Sequence, residues 1–273
     1  MTPLAWPVSD GMAALTDLGN GKPLPAMATR RGDWIDLVAP IPRSVGLDPW
    51  RALTLNGRMR GAARITLQDD EWRIRTELSV SDGAAKAAAR ADFQEAHHAA
   101  VGPPRRGVRK PTPSSPQWAD WTAAVERTPW RIASRADGRL AVDLDLGAGL
   151  DHAVIEPNGS GLRCVVVVEK SPPAEPSCRI AVGRFLLTAT DAARLVRAAA
   201  TDQGLLLEVV VSARADDAGI DRALGALRLG VGMVGREADA LNDASFARRY
   251  LEITLTKERQ CEWMADREFS CSK

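Results

Sequence analysis

A chain of 273 residues with 45% hydrophobic and 26% charged content has room for one large or two small globular domains. A net charge of +1 argues against a dedicated nucleic-acid binder, which carries a basic face or stripe. Four cysteines (Cys164, Cys178, Cys261, Cys271) without C-x-x-C spacing argue against a disulfide scaffold, and no apolar run approaches the roughly 20 residues a membrane span needs.

In chain order, Met12, Ala14, Thr16 and Leu18 alternate as a half-buried strand, and Ile35, Leu37 and Ala39 repeat that pattern. Asp48-Pro49 is an N-cap followed by proline at the first helical position. Leu47, Trp50 and Leu53 share a face until Asn56-Gly57, which is expected to stop the helix. Two strands follow, Ala63–Leu67 and the alternating Trp72, Ile74, Thr76, Leu78 and Val80, around an Asp69-Asp70 turn. An alanine-rich helix over 83–100 closes the half. Residues 102–116 hold five prolines and four basic residues and read as a stiff linker.

Beyond it, Trp118, Trp121, Ala124 and Val125 mark a helical face, and Leu140, Val142, Leu144 and Leu146 a strand. A short segment near Ala153–Ile155 ends at Asn158-Gly159, a hairpin signal, and Leu162–Val168 is a continuous β-branched run. A helix is expected over 178–190, with Val165, Val167, Phe185 and Leu224 in the core. Strands near 193–200 and 204–213 turn at Asp202-Gln203-Gly204, and a final amphipathic helix runs from Asp217 to Leu241.

The two halves echo each other. Residues 17–40 align without a gap on residues 145–168, with identities at Asp17, Leu18, Gly19, Gly21 and Val38 against Asp145, Leu146, Gly147, Gly149 and Val166. This alignment places Ile35, Leu37 and Ala39 with the set Val165 and Val167. The expected fold class is α+β, a tandem duplication of an α-β-β-β-α-β-β-α unit with antiparallel sheets backed by helices. The first copy, 1–101, lacks an obvious leading helix. The linker is 102–116, the second copy 117–251, and a polar tail 252–273.

Motifs for chemistry are weak. Gly230-Val231-Gly232-Met233-Val234-Gly235 matches a dinucleotide fingerprint but sits inside a helical periodicity instead of between a strand and a helix start. His97-His98 point about 100° apart on a helix and His152 is distant, so no metal set is expected. Gly159-Ser160-Gly161 reads as a turn, and Asp69-Asp70-Glu71 and Asp216-Asp217 as solvated caps. Asn158-Gly159-Ser160 fits a glycosylation pattern, yet the start MTPLAWPVSDG shows no export signal, so a cytoplasmic location is expected. No cofactor and no catalytic residue are expected, and pairing of Cys261 with Cys271 stays open.

The order of elements resembles a known family. Phe185-Leu186-Leu187 ending a helix, two strands through Leu205–Val211, then the helix Asp217–Leu241 are similar to the type III secretion chaperone-like fold of Tir chaperone-type and YbjN-like proteins. Ala52-Leu53-Thr54-Leu55-Asn56-Gly57 through Val80 looks similar in the first half. The resemblance implies a non-enzymatic module that holds an extended segment of a partner protein, as a monomeric pseudo-dimer or a homodimer. Expected contact positions are Ile65, Trp72, Ile74, Val165 and Val167, Trp72 being the most exposed. The alternatives are an enzyme or small-molecule binder with an interdomain site, and a structural accessory domain of a larger assembly.

Overall fold

The computed structural model describes residues 16–17, 23–24, 26–79, 83–101, 121–146, 152–158, 161–211 and 217–255. The expectations for Met12–Ala14, Leu18, Val80, Trp118, the linker 102–116, Gly159, Asp216 and the tail beyond residue 255, with Cys261 and Cys271, lie outside the described residues.

The protein is a mixed α+β structure with two large antiparallel sheets, a short two-stranded antiparallel pair and several helices. Its first part runs β1 (Thr16–Asp17), β2 (Pro23–Leu24), β3 (Met27–Arg31), β4 (Trp34–Pro40), α1 (Pro49–Arg58), β5 (Arg64–Gln68), β6 (Glu71–Ser79) and α2 (Gly83–Val101). The second runs α3 (Trp121–Glu126), β7 (Ile132–Ala136), β8 (Arg139–Asp143), β9 (His152–Asn158), β10 (Gly161–Glu169), α4 (Pro176–Ala192), β11 (Arg197–Thr201), β12 (Gly204–Val211) and α5 (Asp217–Ala240). A further helix, α6, spans 244–255.

The four-stranded sheet has the order β5-β6-β4-β3 and the six-stranded sheet β11-β12-β10-β9-β8-β7. The same order of four strands thus recurs, with β7 and β8 added in the second half. Four strands, where three were expected, lie between α3 and α4, because β7 and β8 form their own hairpin. Asp137 and Gly138 both have positive φ there (50° and 71°), as a two-residue hairpin turn requires. Asp69 and Asp70, at 49° and 59°, make the same kind of turn between β5 and β6.

Local chemistry accounts for the helix starts. The Asp48 side chain accepts from the Arg51 amide at 2.9 Å, and Pro49 occupies the position whose amide would go unused. Pro176 repeats this at the start of α4. The expected stop at Asn56-Gly57 is corrected: α1 continues to Arg58, and the cap falls at Met59.

One continuous hydrophobic core spans both halves. Ile35, Leu37, Leu53, Ile65, Ile74 and Phe93 join Leu162, Cys164, Leu186, Leu207, Leu224 and Leu227 in it. Within β10, Leu162, Cys164 and Val166 face this core. Val165, with Val167 packed beside it, joins Ala199 and Leu206 in a separate small cluster on the opposite face. The ungapped alignment was therefore one residue out of structural register. Val38 opposes Arg75 as Val165 opposes Glu208, which equates Ile35, Leu37 and Ala39 with Leu162, Cys164 and Val166. Side chains alternate along a strand, so a one-residue slip moves every one to the other face. Phe185 is half-buried, stacked edge-on against Tyr250 of α6 with ring centroids 6.4 Å apart.

Candidate functional site

The strands carry a second, polar face, and on it the two halves hold each other. Arg64 opens β5 and its guanidinium donates to both oxygens of Glu77 at 2.5 and 2.6 Å; both side chains are 0% exposed. Arg64 also donates to the Ala193 carbonyl at 3.3 Å, just beyond α4, and Glu77 accepts from the Leu195 amide at 3.3 Å. Arg75 lies 2.8 Å from Glu77, and 3.4 Å from both Asp36 and Asp191, and donates to the Asp191 carbonyl at 2.7 Å. Thr66 donates to the Asp191 carboxylate at 2.8 Å. The end of α4 and the turn after it are thereby fastened across the four-stranded sheet.

The reverse tie is built from the equivalent strand. Arg197 opens β11, donates to Glu208 at 2.6 Å, and sends three further N–H groups to the carbonyls of Met59, Gly61 and Ala63, at 3.0, 2.7 and 2.9 Å. Those carbonyls follow α1, as Ala193 follows α4. Asp92 of α2 holds the same segment by accepting from the Ala62 amide at 2.8 Å. On the outer side of β10, Arg163 pairs with Glu208 and with Glu156. The registers equate Asp36 with Arg163 and Arg75 with Glu208, so the cross-strand ion pair recurs with its polarity reversed.

Asn56 completes the interlock. Its amide nitrogen donates to the carbonyls of Ile65 and Ala198, each at 2.9 Å, and its oxygen accepts from the Ile65 amide at 2.7 Å. One side chain from α1 thereby satisfies backbone groups on the outer edges of β5 and β11. Helix α1 packs on β11 and α4 on β5. A Cβ at Gly57 would sit 2.6 Å from the Ala200 carbonyl, and one at Gly183 2.8 Å from the Pro49 Cβ, so both approaches require glycine.

Electrostatics follow from burial. Burial pushes the Glu77 carboxyl up, but Arg64, Arg75 and the Leu195 amide outweigh it and leave the group below the ordinary carboxylate range. For Asp92, burial with Glu95 nearby prevails over the Ala62 amide and Arg197, and the carboxyl is raised. Burial pushes the Cys164 thiol up to about 12, so it packs as a small hydrophobe. Glu77, held ionised by Arg64 and Arg75, is a poor proton carrier. Among the described residues no group of three His, Cys, Asp or Glu side chains is placed to hold a metal ion.

The expected contact residues fall elsewhere. Ile65 and Ile74 are 0% exposed and belong to the core, Val165 is buried in the small cluster, and Trp72 and Val167 are half-buried. The structure does not bring the five into one exposed surface. Gly230 to Gly235 lie inside α5, where Gly230 lets the helix approach Val196. Sequence reasoning missed Asn56, Arg64, Glu77, Arg197 and Glu208. The available signal was an arginine opening an equivalent strand in each half. Among the described residues no helix is long and apolar enough to cross a membrane. Comparison with protein-family models, with curated proteins and with solved structures finds no match to this chain.

Proposed function

We propose that this chain is a non-enzymatic, cytoplasmic binding scaffold made by tandem duplication, and that it holds an extended segment of a partner protein along a sheet edge. The reading is supported by the shared strand order, by the reversed-polarity ion pairs at equivalent positions, and by the resemblance in element order to type III secretion chaperone-like proteins.

One observation carries the choice of edge. The outer edges of β5 and β11 are occupied by Asn56 and the helices behind it, and the edge strand β3 keeps Ala28 buried and Thr29 and Arg30 half-buried, whereas β7 ends the six-stranded sheet with Ala133, Ser134, Arg135 and Ala136 all exposed. An edge strand offers alternate backbone N–H and C=O groups, and an added strand gains affinity from them.

The test is hydrogen exchange on the purified protein with and without a partner captured from its native cytoplasm, followed by proline substitution. Successive amides point to opposite edges, so one of Ser134→Pro and Arg135→Pro removes an outward donor without touching the β7–β8 ladder. The variant that keeps its thermal stability should lose the partner, and bound partner should protect residues 132–136. Protection confined to another strand, or recovery of a small molecule that the protein turns over, would refute this reading.

A further inference from the structure

The contacts that close this molecule are reciprocal, and that bears on its assembly. Arg64 and Thr66 of the first half grip residues 191–195 of the second, and Arg197 grips residues 59–63 of the first. Asn56 reaches from α1 to Ala198, and α1 and α4 pack against each other. None of these bonds depends on both halves belonging to the same chain. The covalent connection between Val101 and Trp121 contributes only effective concentration.

We infer that the interface also forms between two copies of this chain, giving a swapped dimer in which residues 26–101 of each copy pack on residues 121–255 of the other. The occupant of each half's polar face is then the equivalent segment of a second copy, recognised by the same arginines and the same carbonyls. The hydrophobic core is shared by both halves, so exchanging partners requires opening it. The choice between closed monomer and swapped dimer is therefore made during folding, in favour of the dimer as concentration rises, and is then held.

A cross-link reads the swap directly. A Cβ on residue 183 would lie 2.8 Å from that of Pro49, inside the roughly 3.5–4.5 Å separation of a disulfide, so the bridge forms once α1 and α4 part by about 1 Å. One chain carries Pro49→Cys and another Gly183→Cys, both with Cys261→Ser and Cys271→Ser. The two are refolded together and oxidised with glutathione disulfide. The expected result is a covalent heterodimer on a non-reducing gel, increasing with refolding concentration and absent when the chains are folded separately and then mixed. A chain carrying both cysteines controls for folding, since it should bridge within itself at low concentration. If the control bridges and the two-chain mixture never does, the inference is overturned. Should the control fail to fold, wild-type chains with two different affinity tags are refolded together, and tandem purification must recover mixed dimers. Recovery of monomer alone, or mixed dimers formed equally well from separately folded chains, overturns it.

Discussion

Arg64 and Arg197 hold equivalent places at the start of β5 and β11, and each guanidinium joins a glutamate of its own sheet to carbonyls of the other half. Each arginine is balanced within its own sheet, and docking of the halves supplies the carbonyls that take further guanidinium N–H groups. This has measurable consequences for stability.

Glu208→Ala should destabilise the protein by about 3–5 kcal/mol, because it leaves the nearly fully buried Arg197 without its counter-ion. Glu126→Ala removes a half-exposed partner from Arg135 and should cost under about 1 kcal/mol. Denaturant unfolding of both variants checks the contrast. Equal losses would mean that the Arg197 pair is solvated in solution.

Asn56→Ala strands buried backbone groups on two strands, and an unsatisfied buried group costs about 1–3 kcal/mol. We expect a loss of at least about 2 kcal/mol, accompanied by faster amide exchange at Ile65. Asn56→Asp keeps the acceptor and loses both donors, so it should not restore stability.

Two carboxyls should give stability opposite pH dependences. Glu77 has a lowered folded pKa, so its contribution is present above the unfolded carboxylate value and is lost as pH falls through the folded one. Asp92 has a raised folded pKa, so its contribution is present below the unfolded value and is lost as pH rises through the folded one. Asp92→Asn keeps an acceptor for the Ala62 amide without the buried charge. It should therefore melt higher than wild type at neutral pH, with the advantage shrinking in acid. Glu77→Gln should melt lower at neutral pH, and its deficit should narrow in acid. Melting curves from about pH 3 to about pH 8 decide both.

Gly183→Ala and Gly225→Ala should differ in sign. At Gly183 the new methyl meets the Pro49 ring at 2.8 Å, and α1 and α4 must separate to admit it. Gly225 lies inside α5 with nothing within 4 Å of the added Cβ, so alanine there gains up to about 1 kcal/mol of helix propensity. Thermal melting that showed both variants stabilised would mean that the helix pair is looser than its geometry indicates.

Local signals placed the elements well where the relevant chemistry is local. Asp48-Pro49 marks the start of α1, Asp69-Asp70 the β5–β6 turn and Asp202-Gln203-Gly204 the β11–β12 turn, because caps and positive-φ turns act within a few residues. The missed β7–β8 hairpin carried such a signal in Asp137-Gly138. Ile65 and Ile74 were legible as strand residues, but their suitability for contact was not, since both side chains are buried in the shared core.

The sequence alone determined the α+β class and the amphipathic character of α1 and α5, which follow from periodicities of 2 and 3.6 residues. Tertiary structure decided the rest. Arg64, Glu77 and Glu208 read as solvent-face charges in alternating strands, and Asn56-Gly57 reads as a helix stop. Only docking of the two halves sets Arg64 against the distant Ala193 carbonyl and Glu77 against the distant Leu195 amide, and gives the Asn56 amide a partner 142 residues away. A pattern of polar and apolar residues specifies which side of an element avoids water. It carries no record of which remote backbone groups will satisfy a polar side chain once water has been excluded.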